Sequence, residues 1–137
     1  MIGFIGVGNM GGTLARAAVR QCGAESILVT SRTAEHAQRF AASCGCTAVT
    51  NAEAARRSRW LFLGVKPQMM RQMLAELAPV LAARQDRFVL VTMAAGLSMA
   101  QIADMAGGAC PVIRIMPNTP AFVGEGMIPY CANEAVT

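Results

Sequence analysis

The residues best suited to chemistry stand at the start of the chain, where three glycines follow the pattern Gly6-x-Gly8-x-x-Gly11. An apolar run, Ile2 to Ile5, precedes them, and a segment rich in good helix formers, Leu14 to Val19, follows. A strand, a glycine turn and a helix in this order form a cradle for a dinucleotide pyrophosphate. Gly6 permits the tight turn, Gly8 lets the backbone approach the phosphates, and Gly11 lets the helix pack closely on the strand. The helix N-terminus then favours the negative charge.

A second group of candidate residues follows the next apolar run, which ends at Thr30. NAD-binding domains place Asp or Glu here, about 20 residues past the glycines, to bind the ribose hydroxyls. This chain has Ser31-Arg32-Thr33 instead, without an acid. Arg32 can stack on adenine and pair with a 2′-phosphate, and its neighbours can donate hydrogen bonds to it. The segment therefore predicts NADP(H) as the cofactor, with NAD(H) as the alternative.

Two further strand ends carry small or charged residues, Gly64-Val65-Lys66-Pro67 and Met93-Ala94-Ala95-Gly96. Ligands of open α/β sheets lie at the carboxyl ends of strands, and small residues there leave room for a flat nicotinamide ring. Lys66 is the one lysine of the chain. It either faces a phosphate or a substrate, or it is a solvated residue before a helix.

The segment from Arg114 to Met127 contains two prolines and two glycines, a composition that indicates a rigid, shaped loop after a strand. It carries Asn118, Thr119 and Glu125. Because loops of this kind often line a site, we expect this one to border the reacting face.

Strand-like and helix-like segments alternate along the chain and would position these residues. Strands are predicted at 2–5, 26–30, 47–49, 60–65, 88–92, 111–115 and 127–131. Helices are predicted after the glycine turn and at 33–42, 51–57, 68–83 and 98–105, with Thr33, Asn51 and Ser98 as N-caps. The strand at 60–65 is expected to be buried on both faces, and Met69, Met70 and Met73 to fill the core.

This alternation predicts a single α/β domain over residues 1–137, a doubly wound, mostly parallel sheet of the Rossmann type.

Composition excludes several classes of protein. The chain has 137 residues, of which 54% are hydrophobic and 15% are charged, so a folded domain with a sizeable core is expected. No apolar run approaches the roughly 18 residues of a membrane span, and the N-terminus does not resemble a signal peptide, so we expect no membrane partner and a cytoplasmic location. The net charge of +4 comes from scattered arginines, of which only Arg56-Arg57-x-Arg59 cluster. We interpret that cluster as a solvated helix end and predict no nucleic-acid partner.

Metal chemistry is not expected. The five cysteines are irregularly spaced and form no C-x-x-C pair, which favours reduced thiols. The single histidine, His36, falls in a polar helical stretch on the adenine side of the predicted fold and receives no role in the chemistry.

The joint pattern of these motifs resembles pyrroline-5-carboxylate reductase over essentially the whole chain. The resemblance rests on the glycine turn with Asn9-Met10, on Ser31-Arg32-Thr33 and Asn51, on Val65-Lys66-Pro67 and Ala94-Ala95-Gly96, and on Arg114-x-Met116-Pro117-Asn118-Thr119-Pro120 through Gly124-Glu125-Gly126. It implies the NADP(H)-binding half of an enzyme that reduces 1-pyrroline-5-carboxylate to L-proline.

The resemblance also assigns residues to parts of the cofactor. It implies Gly6, Gly8, Asn9, Met10 and Gly11 at the pyrophosphate; Ser31, Arg32 and Asn51 at the adenosine ribose and its phosphate; Val65, Lys66, Pro67, Ala95 and Gly96 at the nicotinamide side; and Asn118, Thr119 and Pro120 at the reacting face. No catalytic acid or nucleophile is expected, because a protonated imine already accepts hydride and the protein mainly orients the reactants.

The family continues into a C-terminal helical domain with the substrate loop and the dimer interface, which this chain does not contain. The resemblance therefore implies a fragment, inactive alone, whose full-length form is a homo-oligomer. Two alternatives stay open: the coenzyme domain of a β-hydroxyacid dehydrogenase, and a non-catalytic NADP-binding module.

Overall fold

The computed structural model of the chain describes residues 1–108, 110–116, 130–133 and 135. Its strands are β1 (Ile2–Ile5), β2 (Ile27–Thr30), β3 (Thr47–Ala48), β4 (Trp60–Leu63), β5 (Val89–Thr92), β6 (Val112–Ile115) and β7 (Tyr130–Ala132). Its helices are α1 (Asn9–Cys22), α2 (Ala34–Cys44), α3 (Asn51–Arg57), α4 (Pro67–Ala82) and α5 (Met99–Met105), with a 3-10 turn at Ala24–Ser26. In this part of the chain, no helix is both long and apolar enough to cross a membrane.

The strands form one seven-stranded sheet in the order β3-β2-β1-β4-β5-β6-β7. All neighbours are parallel except β7, which runs antiparallel to β6. The predicted doubly wound, mostly parallel Rossmann-type sheet is therefore confirmed. The order of the strands reverses between β1 and β4, and this is where open α/β sheets bind ligands. Ile5 pairs with Thr30 on one side and with Leu63 on the other, so three strands end level at this edge.

Each face of the sheet packs against its own helices. Leu61 and Leu63 contact a cluster with Met70 and Leu74 of α4, whereas Phe4 lies on the other face and packs near Phe40 of α2. The expectation that residues 60–65 form a strand buried on both faces is wrong in part. The strand ends at Leu63, Trp60 is 37% exposed and Phe62 is only partly buried, because the outer face of β4 lies at the border of the helical cover.

Two of the predicted N-caps are confirmed and one is wrong. Thr33 accepts a hydrogen bond from the His36 N–H at 3.2 Å, and Ser98 forms a reciprocal capping box with Gln101. Asn51 does not cap α3; it is the first helical residue, and Thr50 accepts the Glu53 N–H at 3.1 Å. Threonine in an extended conformation just before the helix outcompetes the asparagine that follows it.

Of the three methionines predicted to fill the core, two are buried and one is not. Met70 and Met73 are buried as expected, whereas Met69 is 45% exposed, because it lies on the face of α4 that the core does not cover.

Arg56 and Arg57 end α3 and pair with Glu53 at 2.9 and 3.4 Å. This arrangement supports the interpretation of the basic cluster as a solvated helix end.

The backbone of β1, β4 and α1 meets at the end of β1 with no room for side chains. A Cβ atom at Gly11 or at Gly64 would overlap the carbonyl oxygen of Gly6. Gly6 itself has φ +90°, a conformation that favours glycine. Gly8 differs from these three, because a Cβ there would meet no atom within 4 Å.

We expect Gly11→Ala to lower the free energy of unfolding by about 1–3 kcal/mol, because the added methyl group overlaps backbone that cannot rotate away. Gly8→Ala is the matched control. Its methyl group enters open space, so the change should stay below about 1 kcal/mol, the scale of an altered helix cap. Denaturant unfolding of both variants measures the difference. Equal stabilities of the two variants would contradict the close backbone contact at Gly11.

Candidate functional site

A cavity of about 340 Å³ opens at the edge where β1, β2 and β4 end, within the size range of ligand pockets. The first turns of α4 form its far wall. The lining residues are Ile5, Gly6, Val7, Gly8, Thr30, Ser31, Arg32, His36, Asn51, Gly64, Val65, Lys66, Met69, Gln72, Met73 and Glu76.

One end of the cavity is built from the glycine turn. The N–H groups of Gly6 and Val7 both donate to the Thr30 carbonyl oxygen at 3.2 Å, which ties the turn to the end of β2. Gly8 is the exposed N-cap residue of α1 and has no side-chain cap bond. The first N–H groups of a helix have no intrahelical acceptor. The turn therefore presents free donors and a helix N-terminus, the arrangement that holds phosphate groups.

The other end of the cavity is the loop that joins β2 to α2. Ser31 Oγ lies 2.5 Å from His36 Nδ1, and Thr33 caps the helix through the His36 N–H. Arg32, in the same loop, is exposed and lines the cavity. Thr30 Oγ1 is buried and has no hydrogen-bond partner among the described residues. An unpartnered hydroxyl at the lining of a pocket is suited to a ligand that brings its own polar groups.

The far wall is one face of α4. Lys66 is the N-cap residue of this helix, with Pro67 at its first position. Met69, Gln72, Met73 and Glu76 follow at helical spacing and line the cavity. This wall combines thioether surface with one amide and one carboxylate, a mixture that suits an aromatic ring with polar edges.

The structure brings part of the predicted site together at this cavity, namely Gly6, Gly8, Ser31, Arg32, Asn51, Val65 and Lys66. Asn9, Met10 and Gly11 open α1 immediately beyond Gly8, and Pro67 opens α4 beyond Lys66, but none of these four lines the cavity. Ala95 and Gly96 form an exposed turn after β5, at the same edge of the sheet and outside the cavity. Asn118, Thr119 and Pro120 lie outside the described residues.

Nine of the lining residues are not among the predicted site residues, and for three of them the sequence signals point elsewhere. His36 falls in a polar helical stretch, and Met69 and Met73 follow the spacing of core residues. For His36, its position at the third residue after the Thr33 cap was the available signal, because that position turns a side chain back towards the preceding loop. For Met69 no signal separated it from Met70 and Met73 in the same apolar pattern.

The groups with clearly displaced pKa values lie away from this cavity. A side-chain hydrogen bond from Arg84 lowers the pKa of Asp86, and burial raises the pKa of Cys46 and of Cys110. The same Arg84 side chain is only 4% exposed and donates to the carbonyl oxygens of Ala55 and Ser58 at 2.9 and 2.5 Å. The bonds of Arg84 stabilise the end of the sheet opposite the cavity.

The family described as NADP oxidoreductase, coenzyme F420-dependent, matches residues 1–96. The chain belongs to this family. The matched range runs from Met1 to Gly96, so it contains every described residue that lines the cavity. The glycine turn, the β2–α2 loop and the α4 wall therefore all lie within the region that the family model matches.

Relatives of this oxidoreductase domain carry a more specific name. The pyrroline-5-carboxylate reductase of Corynebacterium melassecola is 36% identical over 128 residues, which are 92% of this chain and 47% of that protein. The solved pyrroline-5-carboxylate reductase from Coxiella burnetii superposes with a TM-score of 0.90 at 29% identity, covering 99% of this chain and 50% of that one. Pyrroline carboxylate reductase from Plasmodium falciparum, solved with NADP bound, gives a TM-score of 0.82 at 27% identity, covering 99% and 49%. The chain therefore spans about half the length of these relatives.

Proposed function

We propose that this chain is the NADP(H)-binding half of a pyrroline-5-carboxylate reductase, which reduces 1-pyrroline-5-carboxylate to L-proline. One observation carries the cofactor assignment: a single cavity runs from the Gly6–Gly8 turn to Ser31 and Arg32, with no acidic residue at the end of β2. The relatives named above carry the reductase assignment.

The cofactor fits the cavity in two respects. The open space at Gly8, which a Cβ would enter without contact, suits a pyrophosphate that approaches the backbone. The unpartnered Thr30 Oγ1 suits a ribose hydroxyl at the end of β2. We assign to the pyrophosphate the turn and the first residues of α1, which are Gly6, Gly8, Asn9, Met10 and Gly11.

The adenosine end is assigned to the β2–α2 loop. Ser31 and Arg32 would hold the ribose 2′-phosphate, since a guanidinium and a hydroxyl both donate to phosphate oxygens. Asn51, at the start of α3, would contact the same ribose from the other side of the cavity. A guanidinium at this position forms a charge-assisted hydrogen bond with a 2′-phosphate and only a weaker one with the oxygen of a free hydroxyl, so NADP(H) is preferred to NAD(H).

The nicotinamide end is assigned to the ends of β4 and β5, with Val65, Lys66 and Pro67 on one side and Ala95 and Gly96 on the other. Parallel strands bring these two ends to the same edge of the sheet. Asn118, Thr119 and Pro120 stay a prediction for the reacting face. When bound, the reduced nicotinamide supplies a hydride for the imine carbon of the substrate.

The residues of this chain contribute binding and orientation. A protonated imine is already electrophilic, so the chain needs to hold the dinucleotide in one pose and to exclude water from one side of it. No acid or nucleophile of this chain is assigned to the reaction. The hydrogen-bond donors for the substrate carboxylate and the second wall of the site would come from a C-terminal helical domain, which would also form the homo-oligomer. A cytoplasmic location stays a prediction.

The relatives favour this reductase over the coenzyme domain of a β-hydroxyacid dehydrogenase, because the relative named above with more than 30% identity, whose match covers 92% of this chain, is a pyrroline-5-carboxylate reductase. A non-catalytic NADP-binding module would share the cavity but not gain turnover from a helical domain.

We expect NADPH to bind at least about tenfold more tightly than NADH, because a charge-assisted hydrogen bond to the 2′-phosphate contributes about 1.5–3 kcal/mol. Arg32→Ala should remove most of this preference and leave NADH affinity nearly unchanged. Arg20→Ala, a charge-matched control at the far end of α1, should keep it. Calorimetric titration of the three proteins with both cofactors measures the six affinities. Equal affinity of the unaltered chain for NADPH and NADH would contradict the assignment of Arg32 to the 2′-phosphate.

We further expect this chain to bind NADPH while barely reducing pyrroline-5-carboxylate. Without a second wall, the substrate is not oriented, and orientation accounts for up to roughly 7–11 kcal/mol of barrier reduction. The assay follows NADPH oxidation at saturating substrate, for this chain and for a form extended through a C-terminal helical domain. Comparable turnover in the two forms would show that residues 1–137 hold a complete active site.

A further inference from the structure

His36 is the one histidine of the chain, and its side chain contacts the loop that the proposed function assigns to the 2′-phosphate. Its Nδ1 atom lies 2.5 Å from Ser31 Oγ, and both residues line the cavity. Its own N–H group donates to Thr33 Oγ1 at 3.2 Å, which anchors the backbone of the residue at the first turn of α2. Two hydrogen bonds therefore hold the His36 imidazole beside the Ser31 hydroxyl, one from its ring and one from its backbone N–H.

The bond between these two side chains contains a single hydrogen atom, and its direction decides what Ser31 offers to a ligand. When the imidazole is neutral and Nδ1 is bare, the Ser31 hydroxyl must donate to it, and only lone pairs remain for the cavity. When the imidazole is protonated, Nδ1–H donates to Ser31 Oγ, and the hydroxyl hydrogen is free to point at an anion. The neutral tautomer with hydrogen on Nδ1 also frees the hydroxyl, but it adds no charge.

We propose that His36 is a positioning residue for the 2′-phosphate of the dinucleotide, and that it acts through Ser31. Protonation of the imidazole turns the Ser31 hydroxyl into a donor towards the phosphate and adds a positive charge beside it. Affinity for a 2′-phosphorylated ligand then gains a component that grows as the pH falls through the range in which imidazoles change charge. This inference rests on the proposed NADP(H) function and extends it to the protonation state of the site.

Other charged groups lie around His36. Arg32 of the β2–α2 loop, Lys66 at the N-cap of α4 and Glu76 of α4 line the same cavity. Glu35 and Arg39 lie on its own helix. From α1, Arg16 stacks over Phe40 of α2 at 4.6 Å and donates to Cys44 at the opposite end of that helix. Carboxylates, guanidinium groups and ammonium groups do not ordinarily titrate between about pH 6 and 8.5.

The test compares this chain with His36→Gln, which keeps a hydrogen-bonding side chain but cannot change charge. The ligands are 2′,5′-ADP and 5′-AMP, and the readout is the ratio of the variant's Kd to that of the unaltered chain. A phosphate monoester itself loses a charge near pH 6, but this loss affects both proteins and cancels in the ratio. We expect the ratio for 2′,5′-ADP to rise from near one at pH 8.5 to about three- to tenfold at pH 6, as a new charge-assisted bond forms.

Controls separate this behaviour from a general effect of charge. The ratio for 5′-AMP should stay near one throughout, and Arg39→Gln, which removes a fixed charge from the same helix, should give a ratio that does not change with pH. Ser31→Ala should lose the same gain in affinity at low pH, so its Kd ratio should rise as the ratio of His36→Gln does. Thermal melts of the variants check that each is folded.

A second readout needs no variant. Because the chain has one histidine, its imidazole proton resonances are identified without assignment. By reciprocity of linked equilibria, 2′,5′-ADP added near pH 7 should increase the protonated fraction of His36, and 5′-AMP should not.

A ratio that is flat with pH, or that rises equally with 5′-AMP, would overturn the role of His36 while leaving NADP(H) binding intact. Failure of the unaltered chain to prefer 2′,5′-ADP over 5′-AMP at any pH would instead overturn the proposed cofactor.

Discussion

The structure depends on the close approach of three backbone segments at the end of β1. Gly6, Gly11 and Gly64 meet where β1, α1 and β4 converge, and a side chain at either of the last two positions would overlap the Gly6 carbonyl oxygen. Van der Waals repulsion rises steeply once atoms overlap. The chain can therefore bring α1 over the end of β1 only with glycine at positions 11 and 64. This contact fixes the position of the α1 N-terminus relative to the sheet. It therefore also fixes the position of the free N–H groups at the glycine turn.

The same turn is also bonded to the loop that we assign to the adenosine end of the ligand. The N–H groups of Gly6 and Val7 share the Thr30 carbonyl oxygen, which ties the glycine turn to the start of the β2–α2 loop. Thr33 then caps α2 through the His36 N–H and holds the loop from its other side. Preorganisation of this kind reduces the entropy lost on binding. A dinucleotide would therefore meet donors at both ends of the cavity that are already in place.

The sequence predicts the sheet well because each strand is a short apolar run between turn residues, a local signal that tertiary packing here reinforces. It places the glycine turn correctly for the same reason. It does not predict that β7 runs antiparallel, since strand direction depends on a connection and not on residue pattern. Asn51 and Thr50 are both good N-caps, and only the backbone geometry decides between them. Met69 shares the helical period of Met70 and Met73, so its exposure depends on where the cavity interrupts the core. His36 contributes through a contact with Ser31, and neither residue alone carries a signal for it.

We propose that one dinucleotide occupies the cavity from the glycine turn to the β2–α2 loop. Amide resonances of the isotopically labelled chain, followed during titration with NADP⁺, test this most directly, because each backbone position reports separately. We expect the largest shifts at Gly6 to Gly11, at Ser31 to His36 and at Val65 to Met69, with small shifts at the opposite end of the sheet. Shifts concentrated at Arg56 to Arg59, with an unperturbed glycine turn, would contradict it.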